Sequence, residues 1–363
     1  MEQLRDTRLD LLRVISTVMV VILHVAAQGF YVFYPYWGVA LLYNAFGRVA
    51  VPVLFMISGV CLIPKDEPMG KWLVRLLRRA LIPYVCWSAI YIVYNMRTNS
   101  LGMGTEAFAG IFAQAPYFHL GFMLQYITFQ LALPLLRGFW NNERISAAAK
   151  RYVILASLGY GCLAECLQPL LGRAVIGFPF SCLPYYIGMA LLGAYYKEHP
   201  VSMRRMPLLL AYAACSLLTA GLTAWKSFQL GQPTELFFVY SSPVTLIGAS
   251  CLFNGILSKP VTGRLGCAAR KLAPAAFSVY LMHPLFLNAF GAYITWNTLH
   301  PAIWIPAYAL AVIVLCILAH TLFRKGAAYL AALFSITPEL EHRKSGYVER
   351  KRRPYQGNVV RIA

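Results

Sequence analysis

Arg8-Leu9-Asp10-Leu11-Leu12-Arg13 leads into an apolar run that reaches His24. From Leu11 to Ala27 the chain is long and apolar enough to open a membrane helix, which needs about 20 such residues. Yet the run carries Arg13 near one end and His24 deep inside. An ionisable group at that depth costs roughly 2.5–3.5 kcal/mol on insertion scales. At 3.6 residues per turn, Arg13 and His24 are about three turns apart, on nearly one face and roughly 16 Å apart along the axis. Asp10 lies one turn before Arg13 and Thr17 one turn after, near the same face. A polar stripe therefore runs from the membrane surface to a buried imidazole. Arg13 alone also reads as an interfacial side chain that snorkels. An imidazole at mid-membrane points to chemistry, because histidine takes a hydroxyl proton near neutral pH.

Composition extends this reading to the whole chain. Of 363 residues, 59% are hydrophobic and 12% charged, against about 25% charged in soluble domains. The chain reads as an all-α, polytopic membrane helix bundle. The first apolar run is too long for a cleaved signal and is expected to be a retained helix. Apolar runs at 10–29, 38–62, 80–95, 116–136, 152–168, 178–196, 207–225, 236–257, 272–292 and 302–322 predict about ten transmembrane helices, those at 80–95 and 152–168 being short. The net charge of +19 is sorted by topology. One set of alternate loops holds only Arg97, Arg173 and Lys226, Arg48 lies within a helix, and every other Lys and Arg falls in or beside the opposite set. The positive-inside rule places that set, and both termini, in the cytoplasm. Membrane lipid, rather than nucleic acid, is then the partner of the charge. Residues 1–336 form the membrane domain, and 337–363 a basic, disordered cytoplasmic tail. The nine cysteines are scattered, without metal-ligand spacing, so no metal is expected.

Further polar residues interrupt the apolar runs. Arg48, in Gly47-Arg48-Val49-Ala50-Val51-Pro52, sits roughly 15 Å from the outer start of its helix. It should face a polar cavity or pair with a carboxylate, and Glu165 and Glu235 both qualify. Pro52 frees a carbonyl and can kink the helix. Ser58-Gly59 reads as a site or as packing, with Gly59 allowing close helix approach. Arg75, Arg78 and Arg79 are spaced three and four apart and share one helical face. They read as a lipid anchor or as a phosphate clamp, since Arg grips phosphate oxygens in a fork. His119 opens the helix after Tyr117-Phe118 near the outer face, where a hydrogen-bonded surface role is the plainer reading. His283, in Ser278-Val279-Tyr280-Leu281-Met282-His283-Pro284, is a second imidazole within the membrane, open to function or polar packing.

Together these pieces resemble the acyltransferase-3 family of integral-membrane O-acyltransferases. The resemblance rests on Arg8-x-Asp10-x-x-Arg13 with His24, on Arg48-Val-x-Val-Pro52 running into Phe55-Met-Ile-Ser58-Gly59, and on Trp72-x-x-Arg75-x-x-Arg78-Arg79-x-x-x-Pro83-Tyr84. Tyr117-Phe-His119-Leu and Ser278-x-Tyr280-x-x-His283-Pro284 complete it. The fourth helix has Gly121 where the family often has Trp, and a single Arg75 stands where two adjacent arginines are common. The chain looks like the single-domain O-acetyltransferases that act on enterobacterial common antigen and exopolysaccharides. The resemblance implies a bacterial inner-membrane enzyme that passes an acetyl group from cytoplasmic acetyl-CoA to a hydroxyl of a cell-surface or lipid-linked glycan. His24 would be the general base or relay the acyl group, and Asp10 and Arg13 would order the channel. Arg48 would stabilise the developing oxyanion. Arg75, Arg78, Arg79 and Arg13 would hold the acyl-CoA, and His119, Ser58, Tyr280 and His283 would contact the acceptor. The competing class is a non-enzymatic glycan exporter or flippase lined by the buried Arg and His residues.

Overall fold

The computed structural model describes residues 6–98, 104–176, 184–291 and 299–349, with side chains described to 289 in the third segment and to 325 in the last. Cys182 and parts of the loops around residues 100, 180 and 295 lie outside these residues. The elements are helices α1 (Thr7–Ala27), α2 (Trp37–Gly47), α3 (Ala50–Leu62), α4 (Met69–Leu76), α5 (Ile82–Thr98), α6 (Leu120–Trp140), α7 (Ala147–Gly161), α8 (Gln168–Leu171), α9 (Tyr185–Glu198), α10 (Arg205–Leu230), α11 (Pro243–Leu257), α12 (Gly263–Leu272), α13 (Ala276–Gly291) and α14 (Pro301–Glu349). No strand occurs among the described residues.

Seven helical stretches are long and apolar enough to cross a membrane: Thr7–Ala27, Trp37–Leu62, Met69–Thr98, Ala147–Leu171, Arg205–Leu230, Gly263–Ala289 and Pro301–Lys325. The protein is a multi-pass membrane protein. The three remaining apolar runs are also helical, as α6, α9 and α11, with 21, 14 and 15 residues. The two runs that looked short, 80–95 and 152–168, belong to stretches of 30 and 25 residues. Each contains a π turn, at Leu77–Leu81 and at Cys162–Leu167, and one flank of each stretch is too polar to read as apolar sequence.

Local chemistry sets the breaks. Asp6 caps α1 by accepting the Arg8 backbone N–H at 3.0 Å, which satisfies one of the free donors of the first turn. Pro52 sits in the first turn of α3, where its missing N–H costs little. The chain therefore breaks at Arg48 and Val49 rather than kinking mid-helix. Gly59 of α3 faces the Ala190 backbone of α9, and Gly193 faces the Met56 backbone, each with no room for a Cβ. Small residues that let two backbones meet are the usual basis of tight packing in a membrane, so the expected close approach at Gly59 occurs, with α9 as the partner.

The chain divides into two compact units, Met1–Cys316 and Ile317–Ala363. In the first, α1 and α3 supply much of the core. Phe55 packs in a cluster with Phe129, Trp140 and Ile187, and Leu12, Val53 and Met56 pack with Phe253. Val20 joins Tyr84, Tyr91, Met123 and Leu281. The described part of the second unit is the continuation of α14. The segment read as a tail, 337–363, begins within that helix. Its backbone is helical to Glu349, and 350–363 lie outside the described residues.

Candidate active site

The last turn of α1 carries His24 to the wall of a cavity of about 270 Å³. α1 supplies Val20 and Leu23 beside it, and the start of α6 supplies His119, Gly121 and Phe122. Tyr186, Tyr240 and Tyr280 close the far sides. The walls are aromatic and aliphatic, and among the described residues no acidic side chain lines them.

His24 is joined through its ring to His283 of α13. His24 Nδ1 lies 2.9 Å from His283 Nε2, and the two rings stack with centroids 5.0 Å apart. Phe118 meets the His24 ring edge-on at 4.8 Å. His283 is fully buried and makes no part of the cavity wall. Its Nδ1 stands 2.7 Å from the Tyr280 carbonyl and 3.2 Å from that of Val279.

His119 is the second imidazole on the wall. It is buried, and neither ring nitrogen has a well-formed hydrogen bond among the described residues. Its ring lies 5.5 Å from that of His283 and 4.8 Å from that of Tyr91, so it is an interior residue rather than a surface one. The Tyr280 hydroxyl donates to the His119 carbonyl, which ties α13 to the start of α6. His24, His119 and Tyr280 thus meet at one cavity, and His283 backs His24 from behind. Among the described residues no three His, Cys, Asp or Glu side chains converge as a metal site.

The remaining candidates stand elsewhere. Arg13 pairs with the fully buried Asp10 at 3.0 Å and donates to Cys61 Sγ at 3.2 Å. Thr17 donates to the Arg13 carbonyl, so the polar stripe of α1 is present. Ser58 donates back to the Leu54 carbonyl at 2.8 Å and is not on the cavity wall. Arg48 is 11% exposed and binds Glu235 Oε1 and Asn44 Oδ1, both at 2.8 Å, with Phe238 under its guanidinium. Its carboxylate partner is Glu235. Glu165 instead accepts from Ser241 at 3.2 Å. Arg48 stays off the cavity wall but touches Tyr240, which lines it.

The basic segment departs from the single expected face. After Leu76 the helix widens into the π turn, which changes the register of Arg78 and Arg79 relative to Arg75. Arg78 and Arg79 are exposed. Arg75 turns inward, 11% exposed, and pairs with Glu67. The same carboxylate takes Arg137 at 2.9 Å, and Arg137 also donates to the Leu62 carbonyl at 3.0 Å. Burial pushes the Glu67 carboxyl up, but the Arg137 hydrogen bond and the two guanidinium charges outweigh it and hold the group below its ordinary range. Nε and Nη2 of Arg75 are buried without partners among the described residues. Glu67 and Arg137 were not singled out from the sequence. The usable signal was the scarcity of acids, 13 in all, which makes each one near a buried Arg informative.

The model of the acyltransferase-3 family, described as an acyltransferase domain, matches residues 6–321. The chain belongs to the acyltransferase-3 family. Acyl transfer is therefore the chemistry of its class, and the matched span holds every candidate residue above. Comparisons with curated proteins and with solved structures return no match.

Proposed function

We propose that this acyltransferase-3 protein moves an acetyl group from acetyl-CoA, bound from the cytoplasm, to a hydroxyl of a lipid-linked or cell-surface glycan at a bacterial inner membrane. The reading takes ten crossings with both termini cytoplasmic, in keeping with the sorting of Lys and Arg between loops. The observation that carries it is His24 on the wall of an aromatic-lined cavity, with its Nε2 free of hydrogen bonds among the described residues. Aromatic walls suit the apolar faces of a sugar and exclude water from the reacting atoms.

His24 Nε2 takes the proton of the acceptor hydroxyl as its oxygen attacks the thioester carbonyl. The carbon–sulfur bond then breaks, and the proton passes from His24 to the departing CoA thiolate. The ester and free CoA are the products. His119, buried on the same wall, donates to the carbonyl oxygen as charge develops. This moves to His119 the part that Arg48 was expected to play, because Arg48 is held by Glu235 and Asn44. Tyr280 positions the His119 segment. Asp10 and Arg13 order the cytoplasmic half of α1.

Arg75, Arg78 and Arg79 hold the donor's phosphates, with the unpartnered Arg75 donors turned to that task. α6 links the two ends: His119 is at the cavity, and the Gln130 carbonyl accepts from Trp72 of the basic segment at 3.0 Å. Eleven residues of helix span roughly 16 Å, the stretch that the thioester arm has to cover. The test is thermal stabilisation of the detergent-purified protein by acetyl-CoA, since a ligand that binds the native state raises its stability. A shift that an Arg75/Arg78/Arg79 triple alanine variant loses supports the reading. No shift with acetyl-CoA or longer acyl-CoAs would favour the exporter class.

A further inference from the structure

We infer that His283 is a positioning residue that fixes the tautomer of His24, and that Pro284 is what allows it to do so. The inference rests on the reading of His24 as the base and goes beyond it by naming what sets that base. The argument starts at the proline. Pro284 has no backbone N–H, so the carbonyl of residue 280, four positions earlier, loses its helical partner. That carbonyl is the one His283 Nδ1 approaches at 2.7 Å. A carbonyl can only accept, so Nδ1 of His283 carries a proton. A neutral imidazole has one N–H, and the other nitrogen is then an acceptor.

The acceptor of His283 is Nε2, which faces His24 Nδ1 at 2.9 Å. Two acceptors cannot share that contact, so His24 Nδ1 carries the proton. His24 Nε2 is left bare, the form a general base needs. Hydrogen bonds thus run one way, from His24 to His283 to the Tyr280 carbonyl. The alternative, a doubly protonated His283, would place a bare cation in a fully buried site with no carboxylate hydrogen-bonded to it, which is costly. The ring nitrogen on the far side of a working imidazole commonly decides its tautomer. Here the device is built from a second imidazole and a carbonyl freed by proline, in place of a carboxylate.

The test reads the tautomer directly and does not need turnover. Nitrogen-15 NMR of histidine-labelled full-length protein in lipid bilayers separates protonated from bare ring nitrogens, and His24→Gln identifies the His24 signals by their loss. In the wild type, His24 is expected to show a protonated Nδ1 and a bare Nε2. His283→Leu is expected to shift the proton of His24 towards Nε2. His283→Gln, whose amide oxygen can accept from Nδ1, is expected to preserve the wild-type pattern. Pro284→Ala, which returns a competing donor to the Tyr280 carbonyl, should fall between the two. In acyl transfer, His283→Leu should lower kcat about 100-fold with the KM for acyl-CoA unchanged, and His283→Gln should recover to within about tenfold of wild type. A protonated Nε2 on wild-type His24, or a His24 tautomer indifferent to His283→Leu, overturns the inference. So does a His283→Gln variant as impaired in kcat as His283→Leu. If the protein transferred no acyl group, the proposed function would fail while the NMR still scored the tautomer.

Discussion

The His24 cavity and the Glu67 cluster both bury polar side chains, and they do it by different means. At the cavity the groups that meet are imidazoles, tyrosines and backbone carbonyls, and the hydrogen bonds run in one direction from His24 to the Tyr280 carbonyl. At Glu67 two guanidiniums share one carboxylate, so positive charge exceeds negative and two Arg75 donors are left over. A neutral imidazole with one bare nitrogen can take up a proton and return it within a turnover. A cluster with excess cation is suited to an anion that arrives from outside. The difference divides the labour proposed for this protein, proton transfer at one site and phosphate binding at the other.

The comparison is broken most severely by removing the base. His24→Ala is expected to lower acyl transfer by about 10³-fold, within the range for loss of a positioned acid–base group, while expression and acetyl-CoA binding persist. Activity retained in purified His24→Ala protein would remove the cavity from the mechanism. Next in size is Glu67→Ala. It strands two mostly buried guanidiniums on one another, and breaking a buried ion pair from one side costs on the order of 3 kcal/mol. The readout is a lowered unfolding midpoint in detergent, with the hydrogen bond of Trp72 to α6 as the first local casualty. An unchanged midpoint would mean that solvent already screens the cluster.

These two regions were unequally legible from the sequence, for a physical reason. Asp10, Arg13, Thr17 and His24 lie on one helix, where spacing fixes the shared face, and the Asp10–Arg13 pair is where periodicity placed it. His24 and His283 are 259 positions apart, and Arg48 and Glu235 are 187 apart. No periodicity reports a contact between helices so distant. That is why Glu165 and Glu235 stood as equal partners for Arg48, and why His283 read equally as site or packing. The basic segment shows a second limit. Three-and-four spacing holds for an α-helix, and the π turn after Leu76 separates Arg75 from Arg78 and Arg79. The lengths of the helices starting at Met69 and Ala147 were hidden in the same way, because hydropathy sees only their apolar portions.

Two smaller effects sharpen the contrast. Gly121 lines the cavity, and a Cβ built there meets nothing within 4 Å. Gly121→Leu should therefore fold and fill part of the space above His24. The expected result is a rise of roughly 5- to 30-fold in KM for the acceptor, of the size of one or two methylene contacts (about 1–2 kcal/mol), with acetyl-CoA stabilisation unchanged. A loss of that stabilisation instead would place the donor, rather than the acceptor, against α6 at this level.

The smallest effect is set by pH at Glu67. Its carboxyl lies in the segment between α3 and α4 and titrates below its ordinary value in the folded protein, because Arg137 and Arg75 favour the charged form more than burial disfavours it. A carboxyl whose folded value is depressed contributes stability that is fully present above its unfolded value, about 4.3, and is lost as pH falls through the folded one. Glu67→Gln keeps the shape and removes the charge. The midpoint difference between wild type and Glu67→Gln should then be constant near neutral pH and shrink as pH falls below about 4.3. A Glu67→Gln gap that stayed flat into acid would show that charge is not what Glu67 supplies, and the distinction between a neutral site and a charged one would have to be redrawn.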